Sequence, residues 1–526
     1  MKLAVLGKDG PLPRALRGEA EKAGHTLVSD AADAAVYFPG TTDELARIVS
    51  DGRFPRLVLR SNAFAYGSNA KNPGLMTEDR ISLLPEGARD ERWLRLEEAA
   101  AKHPNSVALR LANVLSDTTD LIPQQLWAKR AYTILGHDPN IQATSLHDAA
   151  RALLAAAGSS ATGLFNIAGG GVIPLKTALR ASGTAQIPLP KPLAQRRLED
   201  HSADQLQFNW TVSGDRAARE LNFTPRLSTV AALRDFLLAK PGSHPEQIED
   251  AYDAFGLDRK YLAAWGWWFA FLRNIYWRIE HEGMENIPST GSALFVSNHR
   301  GFMPLDAVMH LSLVLTHRQR VIRFLIIHTL LRTPVMADFL TKVGGVIANQ
   351  ENAERLVANG ELIGLFPEGI RGTFTPYKQT HQLRDFAKSA FVKMAIENQI
   401  PIIPTAVIGH AEIFPILGRI DSSWVTRELG WPYLPIAPMF PLAPVPLPSK
   451  WHVRVLPPVS IAGLSRSDAE NVKIIRDVSR YVQSILQSNI DQMVSRRKHI
   501  FWGRIFDGAA VPLPSKPLSM GAAAGK

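Results

Sequence analysis

Two polar residues, His299 and Asp306, stand just beyond an apolar strand in the stretch LFVSNHRGFMPLDAV, residues 294–308. A histidine can remove a proton from a hydroxyl near neutral pH, and a carboxylate on its other ring nitrogen fixes the tautomer that does so. Gly301 and Pro304 lie between the two and favour a turn. We therefore predict that this turn brings Asp306 back to His299. Taken alone, a strand-end histidine is more often structural than catalytic, so other motifs must support the assignment.

A second polar turn follows another apolar strand, in the stretch LFPEGIRG at residues 365–372. A glycine-rich turn lets backbone N–H groups approach an anion, and Arg371 offers the planar fork that suits phosphate. The alternative is that Arg371 caps a surface turn. Arg323, in RQRVIRFLI, is a further candidate for binding the same anion. The motifs come at strand ends, where α/β sheets usually carry their sites.

The order of these motifs resembles the glycerolipid acyltransferase family, the lysophosphatidate acyltransferase-like enzymes. The matching residues are Asn298-His299 with Asp306, then LFPEGIRG, then PIIPTAVIG at 401–409. The wide His–Asp spacing and GWPYLPIAPMFPLAPVPLPSKW at 430–451 are similar to the monoacylglycerol acyltransferase-like branch. The resemblance implies a C-terminal α/β acyltransferase domain.

That resemblance implies transfer of a fatty acyl group from acyl-CoA or acyl carrier protein to a hydroxyl of a lysophosphatidate-like or monoacylglycerol-like acceptor, as in phospholipid synthesis. It implies that His299 and Asp306 are catalytic, and that the substrate-binding residues are Asn298, Arg323, Glu368, Gly369 and Arg371. No metal and no cofactor are expected for this reaction.

The nucleophile is predicted to be the acceptor hydroxyl itself. The chain has 0 cysteines, which excludes thiolate nucleophiles and disulfides. Ser297 precedes His299 by two residues, and a Ser–His mechanism through an acyl-enzyme is the alternative. No serine in the sequence obviously pairs with His299. Direct attack is therefore favoured.

The first half of the chain alternates short apolar strands with helices, which predicts a Rossmann-like, doubly wound parallel sheet. KLAVLG, HTLVSD, AAVYFPG and PRLVLRSN read as strands. Gly7 and Gly10 lie in the first turn, where a dinucleotide-binding fold keeps glycines near a pyrophosphate, but Pro13 stands where a third glycine is expected. HTLVSD and AAVYFPG are so close that a crossover helix has little room between them.

This half resembles the extended short-chain dehydrogenase family of the sugar-nucleotide epimerase type, through SNAFAYGSNAKNPGLMTED, SVALRLANVLS, IQATSLHDAARAL and GLFNIAGG. That family uses a tyrosine with a lysine four residues on, because a nearby cation makes the phenol more acidic. Here no tyrosine before residue 240 has one, and Trp93 and Glu97 stand near the expected places. We predict a degenerate domain without NAD(P); nucleotide binding without catalysis, and an NAD(P)-dependent oxidoreductase with an accessory lipid-binding domain, are the alternatives.

Composition changes divide the chain into predicted segments. These are a Rossmann-like domain at 1–243, a linker with an aromatic amphipathic helix at 244–284, an acyltransferase domain at 285–510 and a disordered tail at 511–526. The apolar run in YLAAWGWWFAFLRNIYWRIEHEG is too short to cross a bilayer. Either this helix lies in a membrane interface, which we favour, or it packs on its own domain.

The chain has 526 residues and a net charge of +10, which favours acidic partners or simply a solvated basic surface. Basic and aromatic residues alternate in VSRRKHIFWGRIFDG at 494–508, a mixture suited to single-stranded nucleic acid or to an anionic membrane. Beside a lipid-modifying domain, we favour the membrane and no nucleic acid. The start of the chain lacks the features of a secretory signal, so we expect a cytoplasmic protein, peripheral on the inner face of a membrane. A catalytically inactive lipid-binding scaffold is the third hypothesis.

Overall fold

The computed structural model describes residues 1–84, 91–115, 120–198, 202–386, 389–438, 440 and 445–506. The chain forms two compact units. The N-terminal unit contains residues 1–259 together with 328–343, and the C-terminal unit contains 260–327 and the residues from 344 onwards. The predicted tail at 511–526 lies outside the described residues.

The N-terminal unit is built on a six-stranded sheet in which every pairing is parallel. In spatial order its strands are Thr26–Leu27, Lys2–Gly7, Ala34–Phe38, Leu57–Asn62, Ser106–Leu111 and Gly163–Ile167. Two small sheets pair Arg130–Ile134 with Ala185–Leu189, and Asn140–Ile141 with Ile173–Pro174. The parallel sheet confirms the predicted fold class.

Helices cover both faces of this sheet, because successive strand residues point to opposite sides. Leu3 packs with the helices Pro11–Lys22 and Leu146–Gly158, whereas Ala4 packs with the helices Thr42–Asp51 and Glu91–Ala101. The unit's other helices are Leu121–Trp127, Leu175–Ala181, Lys191–Arg197, Ser202–Gln205, Asp215–Glu220, Thr229–Leu238 and Met336–Lys342.

The second and third strands of the chain, Thr26–Leu27 and Ala34–Phe38, both pair with the first strand, on opposite sides of it. Residues 28–33, which join them, contain no helix. A connection of six residues is too short for the usual crossover helix. The structure therefore has the shortened connection that the sequence predicts.

The C-terminal unit has a seven-stranded mixed sheet. In spatial order its strands are Glu280–Glu282, His452–Val455, Ile402–Ile408, Ala293–Ser297, Leu362–Leu365, Ile322–Ile326 and Val346–Ile347. Only the pairing of Ile402–Ile408 with His452–Val455 is antiparallel. A separate hairpin pairs Gly418–Ile420 with Leu434–Ile436.

The helices of this unit are Arg259–Ala264, Gly266–Phe271, Leu305–Arg318, Gln350–Ala358, Gly369–Thr373, Ala390–Asn398, Ser423–Leu429 and the long Val472–Arg496, with a π-helical turn at Leu272–Tyr276. Among the described residues, no helix combines the length and the apolarity needed to cross a membrane.

The two units do not follow the predicted domain limits. Residues 244–259 belong to the N-terminal unit: Ile248 is fully buried, and the His244 N–H donates to the Ala181 carbonyl at 2.6 Å. Residues 328–343, between two strands of the C-terminal sheet, also pack there, where Lys342 Nζ lies 2.8 Å from Asp138 Oδ2. The sequence did not reveal these contacts, because they are made with residues distant along the chain.

Candidate active site

The candidate site begins at the end of the central strand of the C-terminal sheet. All five residues of Ala293–Ser297 are buried, and the strand pairs with Leu362–Leu365 on one side and Ile402–Ile408 on the other. A strand enclosed in this way has little freedom to move. It therefore delivers the next residues, Asn298 and His299, to a fixed position at the edge of the sheet.

A turn and a helix start bring Asp306 back to His299. Gly301 adopts φ +76°, a left-handed conformation that favours glycine. Pro304 then precedes the helix Leu305–Arg318, whose first turn contains Asp306. As a result His299 Nδ1 lies 2.6 Å from Asp306 Oδ2. The turn thus brings together the two residues that the sequence predicted to pair.

The contact with Asp306 assigns the tautomer of His299. An ionised carboxylate can only accept hydrogen bonds, so Nδ1 carries the proton and Nε2 keeps its lone pair. No residue in the described part of the chain hydrogen-bonds Nε2. The ring stacks on Phe366 at a centroid distance of 4.1 Å, and 13% of the side chain is exposed. A basic nitrogen on a fixed ring is therefore accessible to a substrate.

Backbone groups hold the Asp306 carboxylate in place. Its Oδ1 accepts from the Ala307 N–H at 2.8 Å, and its Oδ2 also accepts from the Arg300 N–H at 3.3 Å. The first turn of a helix also favours a negative charge, since the peptide dipoles point their positive ends there. The carboxylate can therefore orient His299 and stabilise the imidazolium that forms when His299 takes a proton.

Glu368 supports the turn and does not face the substrate. Its carboxylate accepts from Arg300 Nη1 at 2.8 Å through both oxygens, from the His299 N–H at 3.2 Å and from the Arg384 N–H at 2.6 Å. The side chains of Arg300 and Glu368 are 1% and 0% exposed. The expected contact between Glu368 and the acceptor is therefore replaced by a buried ion pair that fixes the His299 backbone.

Arg300 is the site residue that the sequence interpretation missed. Besides Glu368, its guanidinium donates to the carbonyls of His299 at 2.6 Å, Thr380 at 2.8 Å and Gln382 at 2.8 Å. Its position directly after His299 was visible, but no local pattern indicated a partner 68 residues further on. Such a buried pair requires nearly complete hydrogen bonding, and this one has it.

Asn298 also has a positioning role. Its Oδ1 accepts from the Val407 N–H at 2.9 Å, and its Nδ2 donates to the Val407 carbonyl at 3.0 Å and approaches His410 Nε2 at 3.3 Å. These contacts extend the pairing with the neighbouring strand by one residue. Both polar atoms of the Asn298 amide are engaged in these contacts. Neither is left for the predicted contact with the substrate.

The predicted acceptor turn is a short helix, Gly369–Thr373, whose start requires glycine because Gly369 has φ +54°. A Cβ on Gly372 would lie 2.6 Å from Glu368 Cβ and 3.0 Å from the His299 carbonyl oxygen, so the helix packs closely against the turn that carries His299. Arg371 is exposed, and its guanidinium makes no ion pair with any residue that the structure describes. Arg371 is therefore available to an anionic ligand.

Arg323 does not join this group. It is the second residue of strand Ile322–Ile326 and is level with Ile363, whereas His299 follows the end of its own strand. Its Nε donates to the Gly344 carbonyl at 2.9 Å, and 1% of the residue is exposed. The structure thus places Arg323 towards the opposite edge of the sheet.

Ser297 does not pair with His299 either. Its hydroxyl lies 3.1 Å from Nε2 of His310, and both residues are buried. Burial lowers the pKa of His310 to about 4, so this ring is neutral. Burial also lowers the pKa of His410 well below its usual value. Both rings are buried and lie within hydrogen-bond distance of neighbouring side chains, Ser297 for His310 and Asn298 for His410.

The first turn of the N-terminal unit has some of the features predicted for a nucleotide-binding turn. Gly7 has φ +86°, and a Cβ there would lie 1.9 Å from the Phe38 carbonyl oxygen. Gly10 precedes the helix Pro11–Lys22, whose first turn contains the buried Pro13. The N–H groups at a helix start suit a phosphate. The third glycine, which in such folds lets the helix pack closely on the strand, is replaced by Pro13.

The place expected for a catalytic tyrosine and lysine holds a different network. Trp93 is buried, and the Glu97 carboxylate accepts two hydrogen bonds from Arg110, at 2.8 and 2.6 Å, and one from Ser61 at 2.5 Å. A carboxylate held by an arginine cannot acidify a phenol as an ammonium does. These residues do not fit the hydride chemistry of the epimerase type.

A histidine with one ring nitrogen held by a buried carboxylate and no partner among the described residues on the other has the geometry of a general base. Residues 278–408, which include the His299 turn and the Gly369–Thr373 helix, match the family model for acyltransferases. The chain belongs to the acyltransferase family, and here the acyltransferase domain is joined to a Rossmann-like domain with a parallel sheet. Acyl transfer is accordingly its general activity.

Similar proteins occur in mycobacteria. The uncharacterized protein ML2427 of Mycobacterium leprae is 32% identical over 319 residues, which are 59% of this chain and 83% of that protein. The uncharacterized protein Rv0502 of Mycobacterium tuberculosis is 35% identical over 242 residues, 44% of this chain and 66% of its own length.

Solved structures are similar to the N-terminal part. They include dTDP-glucose 4,6-dehydratase of Bacillus anthracis in complex with NAD, 13% identical with a TM-score of 0.37 over 45% of this chain and 96% of that one. The human epimerase family protein SDR39U1 with NADPH is 17% identical, with a TM-score of 0.38 over 45% of this chain and 100% of that one.

Proposed function

We propose that the C-terminal unit transfers a fatty acyl group from acyl-CoA or acyl carrier protein to a hydroxyl of a glycerolipid acceptor, with His299 as the general base. The observation that carries this proposal is the 2.6 Å contact between His299 Nδ1 and Asp306, which leaves Nε2 basic and accessible. Arg371 binds the polar head of the acceptor, which favours a phosphorylated, lysophosphatidate-like acceptor over a neutral monoacylglycerol.

The reaction is a direct displacement. His299 Nε2 takes the proton of the acceptor hydroxyl as its oxygen attacks the thioester carbonyl, and Asp306 stabilises the resulting imidazolium. When the tetrahedral intermediate collapses, the C–S bond breaks and the departing thiolate takes the proton from His299. An acyl-enzyme on Ser297 is disfavoured, because the hydroxyl is fully buried beside His310.

We further propose that the N-terminal unit performs no redox chemistry and works without NAD(P). The observations behind this are the buried Pro13 in the glycine turn and the pairing of Glu97 with Arg110. Titration of the purified protein with NADH and NADPH, followed by nucleotide fluorescence, tests it. Saturable binding in the micromolar range would overturn the proposal.

The acyltransferase proposal is tested with radiolabelled acyl-CoA or acyl carrier protein and separate acceptors, lysophosphatidate and monoacylglycerol, with the lipid products resolved by chromatography. Wild type is expected to acylate lysophosphatidate, and His299→Ala to lose the activity. The matched control is His317→Ala, which removes an exposed histidine at the far end of the Asp306 helix and should retain the activity. No acylated lipid from wild type, or equal activity in His299→Ala, would refute the proposal.

A further inference from the structure

Two segments of the C-terminal unit, far apart in the sequence, expose large apolar side chains. Trp267 and Ile275 belong to the helical stretch 266–276 and are 71% and 63% exposed. Phe501 and Trp502 follow the last helix and are 44% and 62% exposed. Single exposed apolar residues are ordinary, but a group of them marks an interaction site.

Arg278 joins these segments into one surface. Its Nη1 donates to the carbonyls of Ile275 at 3.4 Å and Tyr276 at 3.1 Å, and its Nη2 donates to the Phe501 carbonyl at 2.7 Å. Ile275 and Phe501 are therefore neighbours on either side of one guanidinium. We call the group formed by Trp267, Trp268, Ile275, Arg278, Phe501 and Trp502 the aromatic surface.

The aromatic surface is not the inner face of an amphipathic helix, because another set of residues packs inward. Phe269, Leu272 and Trp277 are buried, and Trp277 stacks on Trp451 at 4.7 Å. Arg273 donates to the Ser312 hydroxyl at 2.8 Å and so ties the stretch to its own domain. The exposed rings are thus additional to those that the fold needs, and a rigid base supports them.

The charged side chains of the two contributing segments, taken as residues 260–279 and 492–506, are all positive. Residues 260–279 contain Lys260, Arg273 and Arg278 and no Asp or Glu. Residues 492–506 contain Arg496, Arg497, Lys498 and Arg504, again without Asp or Glu. Of these cations, Lys260, Arg278, Arg496, Lys498 and Arg504 are exposed, and Arg278 contacts both segments. Such a surface is complementary to anionic groups.

We propose that the aromatic surface docks this protein on a phospholipid bilayer with anionic headgroups. Indole rings prefer the depth of the headgroups, where their apolar body and polar N–H are both satisfied, and nearby cations contact the lipid phosphates. A second copy of the chain is the less favoured occupant, because it would bring like charges together. The inference rests on the proposed function, since it supplies the route by which a lipid acceptor reaches His299.

Sedimentation of the full chain with vesicles tests the inference. The vesicles are phosphatidylcholine alone, or phosphatidylcholine with phosphatidylglycerol, each at low and high salt. Trp267→Ser combined with Trp502→Ser should weaken binding to the anionic vesicles at least tenfold. Lys498→Glu combined with Arg504→Glu should weaken it at low salt. The control, Trp127→Ser, removes a half-exposed tryptophan of the N-terminal unit and should bind as wild type does.

Transfer to a detergent-dispersed acceptor separates this inference from the proposed function. Loss of vesicle binding with transfer in detergent retained supports both. If wild type binds anionic vesicles through these residues but transfers no acyl group, the aromatic surface stands and the proposed function fails. Equal vesicle binding by wild type and both double variants would overturn the inference. So would a wild-type dimer that the tryptophan variant converts to monomers without a change in vesicle binding.

Discussion

Replacement of Glu368 by Gln separates a positioning role from a substrate contact. The carboxylate receives hydrogen bonds from Arg300, from the His299 N–H and from the Arg384 N–H, and it is fully buried. Glutamine replaces one acceptor oxygen with an NH₂ group that faces these donors. It also leaves the buried Arg300 cation without its counter-charge.

The structure sets the size of both effects. Removing one partner of a buried ion pair costs about 3–5 kcal/mol, which corresponds to a fall in Tm on the order of 10 °C. The same change releases one backbone anchor of His299, and a misplacement of about 1 Å costs about 10²-fold in rate. We therefore expect kcat to fall about 10²-fold while the KM for the acceptor stays within about twofold.

Thermal unfolding and steady-state acyl transfer at varied acceptor concentration measure these changes. The matched control is Arg371→Gln, in the same motif but exposed. It should raise the KM for a phosphorylated acceptor about tenfold and leave Tm within about 1 °C, since exposed charges contribute little to stability. A higher KM in Glu368→Gln, with unchanged Tm and kcat, would mean that this carboxylate contacts the acceptor and would refute the positioning argument.

Three further changes test other parts of the structure. Asp306→Asn should lower kcat about 10³–10⁴-fold, because the amide no longer enforces the basic tautomer; a loss below tenfold in steady-state assays would contradict this. Gly372→Ala should lower Tm and kcat together, because its Cβ would lie 2.6 Å from Glu368 Cβ, and unchanged values of both would exclude the clash. Burial and the neighbouring Asp138 raise the pKa of Asp338 from 3.8 to about 6. The protonated carboxyl therefore stabilises the folded protein below pH 4, and this stabilisation is lost as the pH rises through 6. Asp338→Asn should therefore stabilise the protein by about 1–2 kcal/mol at pH 7.5 and not at pH 4 in urea unfolding, and equal effects at the two pH values would argue against this charge.

Much of the fold was predictable, because the relevant signals are local. The alternation of strands and helices predicted the parallel sheet, and the six residues between Leu27 and Ala34 left no room for a crossover helix. His299 and Asp306 were also found, since a turn signal lies between them and a helix starts before Asp306. Each of these inferences needs only neighbouring residues.

The parts that were not predicted depend on long-range contacts. Arg300 and Glu368 are 68 residues apart, and only the folded sheet brings them together. Residues 328–343 likewise join the N-terminal unit through contacts with residues far away in the sequence. Arg323 could have been excluded earlier, because it lies near the start of its strand whereas the site residues follow strand ends.

The most direct test of the account compares acyl transfer by wild type and by His299→Gln, which keeps a polar side chain of similar length but has no basic nitrogen. Both proteins would receive labelled acyl-CoA and lysophosphatidate, and thermal unfolding would verify the fold. The account predicts a fall in kcat of at least about 10²–10⁴-fold with an unchanged Tm. A folded His299→Gln protein that transfers acyl groups at the wild-type rate would contradict it.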